Sequence, residues 1–192
     1  MTGTPAFNDY DPDAPLIRAI AGGDVRALNE LYARHGANIL SYLSSFLNDR
    51  QLAEEVLQDV MMAVWNHAGQ FRGDSKVRTW LLTIARNRAI NTRRRAAPHL
   101  VQFDDALEVD AGDTTPLERV ERKRRSEMMR EALNRLPPAY QEILLLVFYH
   151  QLSGVEVAEV LGISTGTVKS RLHRAKELLR RVLLTMGETS NA

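Results

Sequence analysis

Apolar side chains recur along this chain at intervals of three and four residues almost throughout, the spacing that gathers them on one face of an α-helix. Leu28, Leu31, Tyr32, Ile39, Leu43, Phe46 and Leu47 keep that step. Ala53, Val56, Leu57, Val60, Met61, Val64 and Trp65 keep it more strictly, after a break at Asn48-Asp49. A third helix is predicted after Phe71-Arg72-Gly73-Asp74, with Ser75 as its N-cap and Val77, Trp80, Leu81, Ile84 and Ala85 on its buried side. No stretch alternates apolar and polar positions for long enough to form a sheet. The expected class is therefore all-α, and its first unit is a helical bundle over residues 16–95.

The periodicity then stops. Residues 96–115 hold few apolar side chains in no helical register, with Pro98 and Gly112 inside and Pro116 just after, and read as a flexible acidic linker. A second helical unit is predicted over 116–186, with Thr115 as N-cap and Pro116 at the first helical position, where a missing N–H costs nothing. Its first apolar face is Leu117, Val120, Met128, Met129, Ala132, Leu133 and Leu136. Pro137-Pro138 ends that helix. The next, Ala139 to Tyr149, is apolar nearly all round and is expected at the centre of the small unit. Residues 1–15 and 187–192 are expected to be disordered tails.

The most specific local pattern is Ser153-Gly-Val-Glu-Val-Ala-Glu-Val-Leu-Gly-Ile-Ser-Thr-Gly-Thr-Val-Lys-Ser-Arg-Leu-His-Arg-Ala-Lys, residues 153–176. Ser153 and Glu156 make a capping box that starts a short helix. Ala158 lets a second helix approach, Gly162 suits the left-handed turn, Ile163 fills the core beneath, and Ser164 caps the next helix. The buried line of that helix is Val168, Leu172, Ala175, Leu179 and Val182. This is the spacing of a helix-turn-helix. Beside the buried line stand Thr165, Thr167, Lys169, Ser170, Arg171, His173, Arg174 and Lys176. Arginine and lysine donate to guanine O6 and N7, and hydroxyls serve bases or phosphates, so the face suits the DNA major groove. The competing reading, a packing hairpin with a solvated basic face, leaves the coincidence of caps, turn glycine and basic second helix unexplained.

Composition changes the picture only when it is read locally. The 192 residues carry 25 basic and 24 acidic side chains, a net charge of +1 that by itself says nothing about nucleic acid. By segment the balance is −5 over 1–68, +7 over 69–96, −5 over 97–120, +5 over 121–186 and −1 at the end. Two basic blocks are thus separated by an acidic stretch, and a polyanion at contact senses the local field. The +7 block lies on the predicted third helix, where Arg78, Arg86, Asn87, Arg93 and Arg94 fall within about half the circumference opposite the apolar stripe. Arg88 is expected to turn back toward the apolar edge. The preceding Phe71-Arg-Gly-Asp-Ser has the aromatic, glycine and small polar groups that suit an unstacked base. Trp80 reads as packing. Glu54, Glu55, Gln58 and Asp59 lie off the buried line of their helix and offer an acidic face to a positively charged protein partner.

Other chemistry finds little support in these residues. There is no cysteine, which removes disulfides and thiolate metal sites. The five histidines, His35, His67, His99, His150 and His173, keep no ligand spacing, and neither a phosphate-binding glycine loop nor a nucleophile paired with a base occurs. An enzyme is therefore disfavoured, with no cofactor, metal or catalytic residue expected. No window is long and apolar enough for a membrane span, and residues 1–15 lack the layout of a secretory signal, so a cytoplasmic location is expected.

Five segments together carry a family resemblance: Ala53-Glu-Glu-Val-Leu-Gln-Asp-Val-Met-Met-Ala-Val-Trp, Phe71-Arg-Gly-Asp-Ser, Thr79-Trp-Leu-Leu-Thr-Ile-Ala-Arg-Asn, Leu136-Pro-Pro-Ala-Tyr-Gln-Glu and Gly166-Thr-Val-Lys-Ser-Arg-Leu-His-Arg-Ala. In this order, across about residues 16–186, they resemble the extracytoplasmic-function (ECF) sigma factors of bacterial RNA polymerase. The resemblance implies a two-domain initiation factor that binds core polymerase, directs it to promoters and helps to open them. It implies that the helix bearing Glu54, Glu55, Gln58, Asp59 and Trp65 docks on the clamp helices of the β′ subunit, with the β flap as a second contact. The loop Phe71, Arg72, Gly73, Asp74, Ser75 and Lys76 would hold a flipped base of the −10 element. Arg78, Arg86, Arg93 and Arg94 would lie along the same DNA, with Asn87 and Asn91 at the site of strand separation. The face from Thr165 to Lys176 would read the −35 element, with Lys169, Ser170, Arg171, His173 and Arg174 foremost.

On the same resemblance, opening needs no catalytic group: contacts to an extruded base exist only in the open form and so shift the duplex equilibrium. Asp104, Asp105, Glu108, Asp110 and Asp113 of the linker are expected to occupy a polymerase channel built for nucleic acid until RNA displaces them. An anti-sigma protein is an implied partner, with both basic faces as surfaces for it to cover. The alternative is a free-standing helix-turn-helix regulator that acts without polymerase, which accounts for the second unit and leaves the arginine-rich helix and acidic face without a role.

Overall fold

The computed structural model describes residues 11–95 and 116–189, and among them every regular element is helical. The chain divides into two compact units, whose main segments are Met1–Val101, and Gln102–Ala158 with Ile163–Ala192. The linker 96–115, its acidic cluster, Thr115 and residues 1–10 and 190–192 lie outside the described residues.

The first unit contains α1 (Ala14–Ala21), α2 (Val25–Leu47), α3 (Arg50–His67), a 3-10 turn (Ala68–Gln70) and α4 (Val77–Arg95). α2 packs against α1, α3 and α4, and α3 packs against α4. Leu31, Leu43, Leu81 and Leu82 are wholly shielded at the centre, each contributing roughly 2 kcal/mol of transfer free energy. The breaks between helices have local causes. Asn48 takes the left-handed conformation at φ 55°, and the Asp49 carboxylate accepts the Leu52 N–H at 3.0 Å to start α3.

Helix α1 precedes the periodic segments named above, and its end is written in Gly22-Gly23-Asp24. Gly23 has φ +87°, the Asp24 N–H reaches the Ala19 carbonyl at 3.0 Å, and the Gly23 N–H reaches the Ile20 carbonyl at 2.9 Å. That pair of bonds closes α1, and the Asp24 carboxylate then accepts the Arg26 N–H at 2.8 Å to open α2, a cap worth about 1 kcal/mol. The expected tail 1–15 is also corrected. Asp11, Asp13 and Ala14 are buried and α1 starts at Ala14, because the two carboxylates are bonded into the bundle.

Ser75 does not cap α4. The helix begins at Val77, whose N–H is bonded to the carboxylate of Asp11 at 2.6 Å. The buried stripe of α4 is also rotated from the expected one. Val77, Thr79, Leu81, Leu82, Ala85 and Ala89 are buried, whereas Trp80 and Ile84 are half-buried and Arg88 is exposed. Packing α4 against both α2 and α3 widens its shielded face beyond a single line of side chains.

The second unit contains α5 (Pro116–Asn134), α6 (Pro138–Leu144), a π-turn (Leu145–Tyr149), α7 (Gly154–Leu161) and α8 (Thr165–Thr189). α6 and α5 both pack against α8. Met128 and Met129, expected on the apolar face of α5, are exposed; α5 buries Ala132 and, just beyond its end, Leu136. The helix expected to be central is buried at Ile143, Leu144, Leu145 and Leu146, but Phe148 stands 53% exposed. The π-turn explains the difference. It adds a residue to the helical step, with the His150 N–H bonded five residues back to the Leu145 carbonyl at 2.9 Å, and this turns Phe148 outward. α8 runs to Thr189, past the expected boundary of the C-terminal tail at 187.

Candidate nucleic-acid interface

In the second unit the helix-turn-helix is built as its residues demand. The Ser153 N–H donates to Glu156 Oε2 at 2.7 Å, and the Glu156 N–H donates back to Ser153 Oγ at 3.3 Å. Gly162 takes φ +64°, the Ile163 N–H bonds the Ala158 carbonyl at 3.0 Å, and the Gly162 N–H bonds the Glu159 carbonyl at 3.2 Å. These two bonds satisfy the last carbonyls of α7 and aim the chain into α8. Ser164 Oγ accepts the Thr167 N–H at 3.1 Å, so the cap of α8 is the expected one. On the buried side, Val168 and Ala175 are buried; Ile163, Leu172, Leu179 and Val182 are half-buried.

The proposed groove-reading face is largely open. Thr165, Thr167, Lys169, Ser170, His173, Arg174 and Lys176 are exposed, and Arg171 is half-buried. Gly166, Lys169, Ser170, Leu172, His173 and Lys176 line one shallow recess. Several of these groups already have local partners. Thr167 Oγ1 shares a hydrogen bond with Ser164 Oγ at 2.8 Å, and Ser170 Oγ donates to the Thr167 carbonyl at 3.1 Å. His173 Nε2 stands 3.6 Å from Glu177 Oε1, and Lys176 Nζ lies 5.3 Å from the Phe148 ring centroid. Lys169 and Arg174 are exposed on the same face.

In the first unit, α4 presents Asn87 and Asn91 exposed and one turn apart, with Arg94 beyond them. Arg78 and Arg86 are half-buried. Arg93 is placed differently from its neighbour, since its guanidinium carbon lies 5.3 Å from the Phe46 ring centroid. The loop before α4 divides in the same manner. Phe71 is buried and its ring centroid lies 5.0 Å from that of Trp80, tilted by 48°. Its ring is therefore an anchor of the loop and offers no open face to a base. Gly73, at φ +77°, is buried too. Arg72, Asp74 and Lys76 are exposed and Ser75 is half-buried.

On α3, Glu54, Glu55, Gln58 and Asp59 are exposed and Trp65 is half-buried. Glu54 pairs with Arg50 at 3.2 Å along the same helix. Met62, at 58% exposure, continues this face and had no mark in the periodicity, because a methionine beside Met61 reads as part of the buried line. A second feature absent from the sequence reading is an apolar groove in the second unit, lined by Leu144, Phe148, Leu179, Leu183 and Leu184 with Lys176 and Arg180 at its edge. It exists because the π-turn exposes Phe148 beside α8.

Among the described residues no group of three histidine, aspartate or glutamate side chains is placed to hold a metal ion. None of the described helices is long and apolar enough to cross a membrane.

The two units define a class: a helical protein with a basic helix-turn-helix in one unit and a basic helix preceded by an anchored loop in the other. Sigma-70 region 2 matches residues 31–98, and Sigma-70 region 4 matches residues 126–179. The RNA polymerase sigma factor YlaC of Bacillus subtilis is 33% identical over 159 residues, covering 81% of this chain and 91% of that protein. The ECF RNA polymerase sigma factor SigL of Mycobacterium tuberculosis is 31% identical over 175 residues, covering 90% and 98%. Among solved structures, that of CnrH in complex with the cytosolic domain of CnrY is similar with a TM-score of 0.68 and 27% identity, covering 91% of this chain and 99% of that one. The sigma factor RpoE of Bartonella quintana, solved with the anti-sigma factor NepR, shares the fold at TM-score 0.64 and 22% identity, covering 83% and 98%. The chain belongs to the ECF sigma factor family of RNA polymerase. It is a promoter-specific transcription initiation factor that binds DNA and RNA polymerase.

Proposed function

We propose that the two units divide initiation between them. The first, running from Asp11 to about residue 95, docks on core polymerase and acts on the −10 element; the second, from about residue 116, reads the −35 element. In the first, Glu54, Glu55, Gln58, Asp59, Met62 and Trp65 form the surface for the β′ clamp helices. Arg72, Asp74, Ser75 and Lys76 receive an extruded base, while Asn87 and Asn91 act where the strands part. In the second, Lys169, Arg171 and Arg174 read the groove, helped by Thr165, Ser170, His173 and Lys176, and the Phe148 groove receives the β flap. Opening is driven by differential binding and uses no catalytic residue of this chain, so the protein is not an enzyme. It works in the cytoplasm, where core polymerase and DNA are.

The observation that carries this reading is the clustering of exposed cations on α8 and of exposed cations and amides on α4, each helix preceded by a structured turn that fixes its direction. An anti-sigma protein that covers these faces holds the factor inactive, a reading supported by the similarity to CnrH solved with the cytosolic domain of CnrY. The test is run-off transcription from genomic fragments by purified core polymerase, with and without this chain. New promoter-specific transcripts are expected. If none is added while the chain alone footprints a defined site, the free-standing regulator takes its place.

A further inference from the structure

Helix α4 starts at Val77, and the Val77 N–H is bonded to a carboxylate from outside the helix. Lys76 occupies the capping position, its carbonyl accepting the Trp80 N–H at 3.0 Å, and the first turn contains no acidic residue. The positive end of the helix dipole lies at Val77, where a carboxylate is favoured. That acceptor comes from 66 residues away in the chain. Asp11 is buried; its Oδ2 accepts the Val77 N–H at 2.6 Å and its Oδ1 accepts the Asp13 N–H at 2.9 Å.

Asp11 cannot move freely, because Asp13 is bonded in turn. Its Oδ1 accepts Arg34 Nη1 at 2.8 Å, its Oδ2 lies 2.6 Å from His35 Nε2, and its carbonyl accepts the Leu16 and Ile17 N–H groups at 3.0 and 3.2 Å. Hydrogen bonds donated to Glu30 and then to Asp13 hold the Arg34 guanidinium above its ordinary pKa. The segment 11–13 is thus clamped to α1 and α2, and it presents one carboxylate oxygen to the first residue of α4. The loop 72–76 is pinned at both ends as a result: at its start by Phe71 against Trp80, at its close by Asp11 on Val77. Between those pins stand Arg72, Asp74, Ser75 and Lys76.

We propose that Asp11 is a positioning residue for strand opening: by capping α4 from across the unit it holds the loop 72–76 in the shape that receives an extruded base. The inference rests on the −10 role proposed above for that loop. A preorganised loop has no ordering to do when the base arrives, so its contacts go fully to the open form. Asp11 touches no DNA in this scheme.

The experiment uses the full chain bound to core polymerase. Its readouts are the fluorescence of an adenine analogue in the −10 element of a duplex promoter, affinity for a single-stranded −10 oligonucleotide, and competition for core. Asp11→Ala is expected to lower opening and oligonucleotide affinity about five- to tenfold, the scale of a lost cap with its charge, while binding to core stays at the wild-type level. Asp11→Asn keeps one oxygen acceptor, enough for the Val77 N–H but not for the Asp13 N–H as well, and is expected to recover part of that loss. The proposal is overturned if Asp11→Ala opens DNA as the wild type does, if core binding falls in the same proportion, or if Asp11→Asn recovers nothing. Arg72→Ala and Asp74→Ala separate the two layers of the argument. If both leave opening unchanged, the base-receiving reading of the loop fails; if they lower it and Asp11→Ala does not, only the positioning role fails.

Discussion

The Arg93 guanidinium lies over the Phe46 ring, 5.3 Å from its centroid, and ties the last turn of α4 to the last turn of α2. A cation held this way is worth about 0.5–1 kcal/mol to the fold at an exposed site and is partly withdrawn from phosphate. Arg94, exposed and one residue on, has no such ring contact among the described residues. Arg94→Ala is therefore expected to reduce the salt slope of holoenzyme binding to promoter DNA by about one unit, and Arg93→Ala by distinctly less. Titrations at several salt concentrations check this; equal slopes for the two variants would remove the distinction.

Gly162 sets the direction of α8 by its left-handed backbone alone. A Cβ added there would meet no atom within 4 Å, so the whole penalty of Gly162→Ala is conformational, about 1–2 kcal/mol. Gly154, equally open and without a positive φ, is expected to tolerate alanine with no loss or a small gain of stability. Urea unfolding followed by circular dichroism compares the two. Equal stability of both variants would contradict the argument.

Met62 stands on the acidic face of α3 with more than half its surface open. Met62→Ala is expected to leave stability within about 0.5 kcal/mol of the wild type, as for other surface sites. Affinity for core polymerase should fall by about 1–2 kcal/mol, measured by competition with a labelled sigma factor. Unchanged competition would move the docking surface elsewhere.

Arg174 is an exposed cation of α8. Arg174→Ala is expected to cost about 1–3 kcal/mol of discrimination at one base pair of the −35 element and little at the others. Binding of holoenzyme to a panel of single-base promoter variants reads this directly. Uniform weakening across the panel would reassign the side chain to the phosphate backbone.

Local chemistry was legible wherever one residue and its near neighbours decide the outcome. The Ser153–Glu156 capping box, the Gly162 turn, the Ser164 cap and the break at Asn48-Asp49 all follow from spacing, since each bond closes within a few residues. The acidic face of α3 was legible for the same reason: helical geometry alone places Glu54, Glu55, Gln58 and Asp59 off the buried line. The expectations that failed are those in which a distant group competes with a local one. Ser75 was a sound cap by sequence, and the Asp11 carboxylate displaced it from 66 residues away. Phe71 and Arg93 were sound partners for nucleic acid by type, and Trp80 and Phe46 took them into packing.

That this protein is a pair of helical units with a helix-turn-helix and two basic faces is legible in the chain alone, because periodicity, caps and charge are properties of short windows. Which cations stay open to DNA, how the loop before α4 is held, and the position of Phe148 outside the core were set by packing across the fold. Those outcomes depend on the identity of the neighbour across the fold, and a side chain's nearest partners in space are not its nearest in the chain.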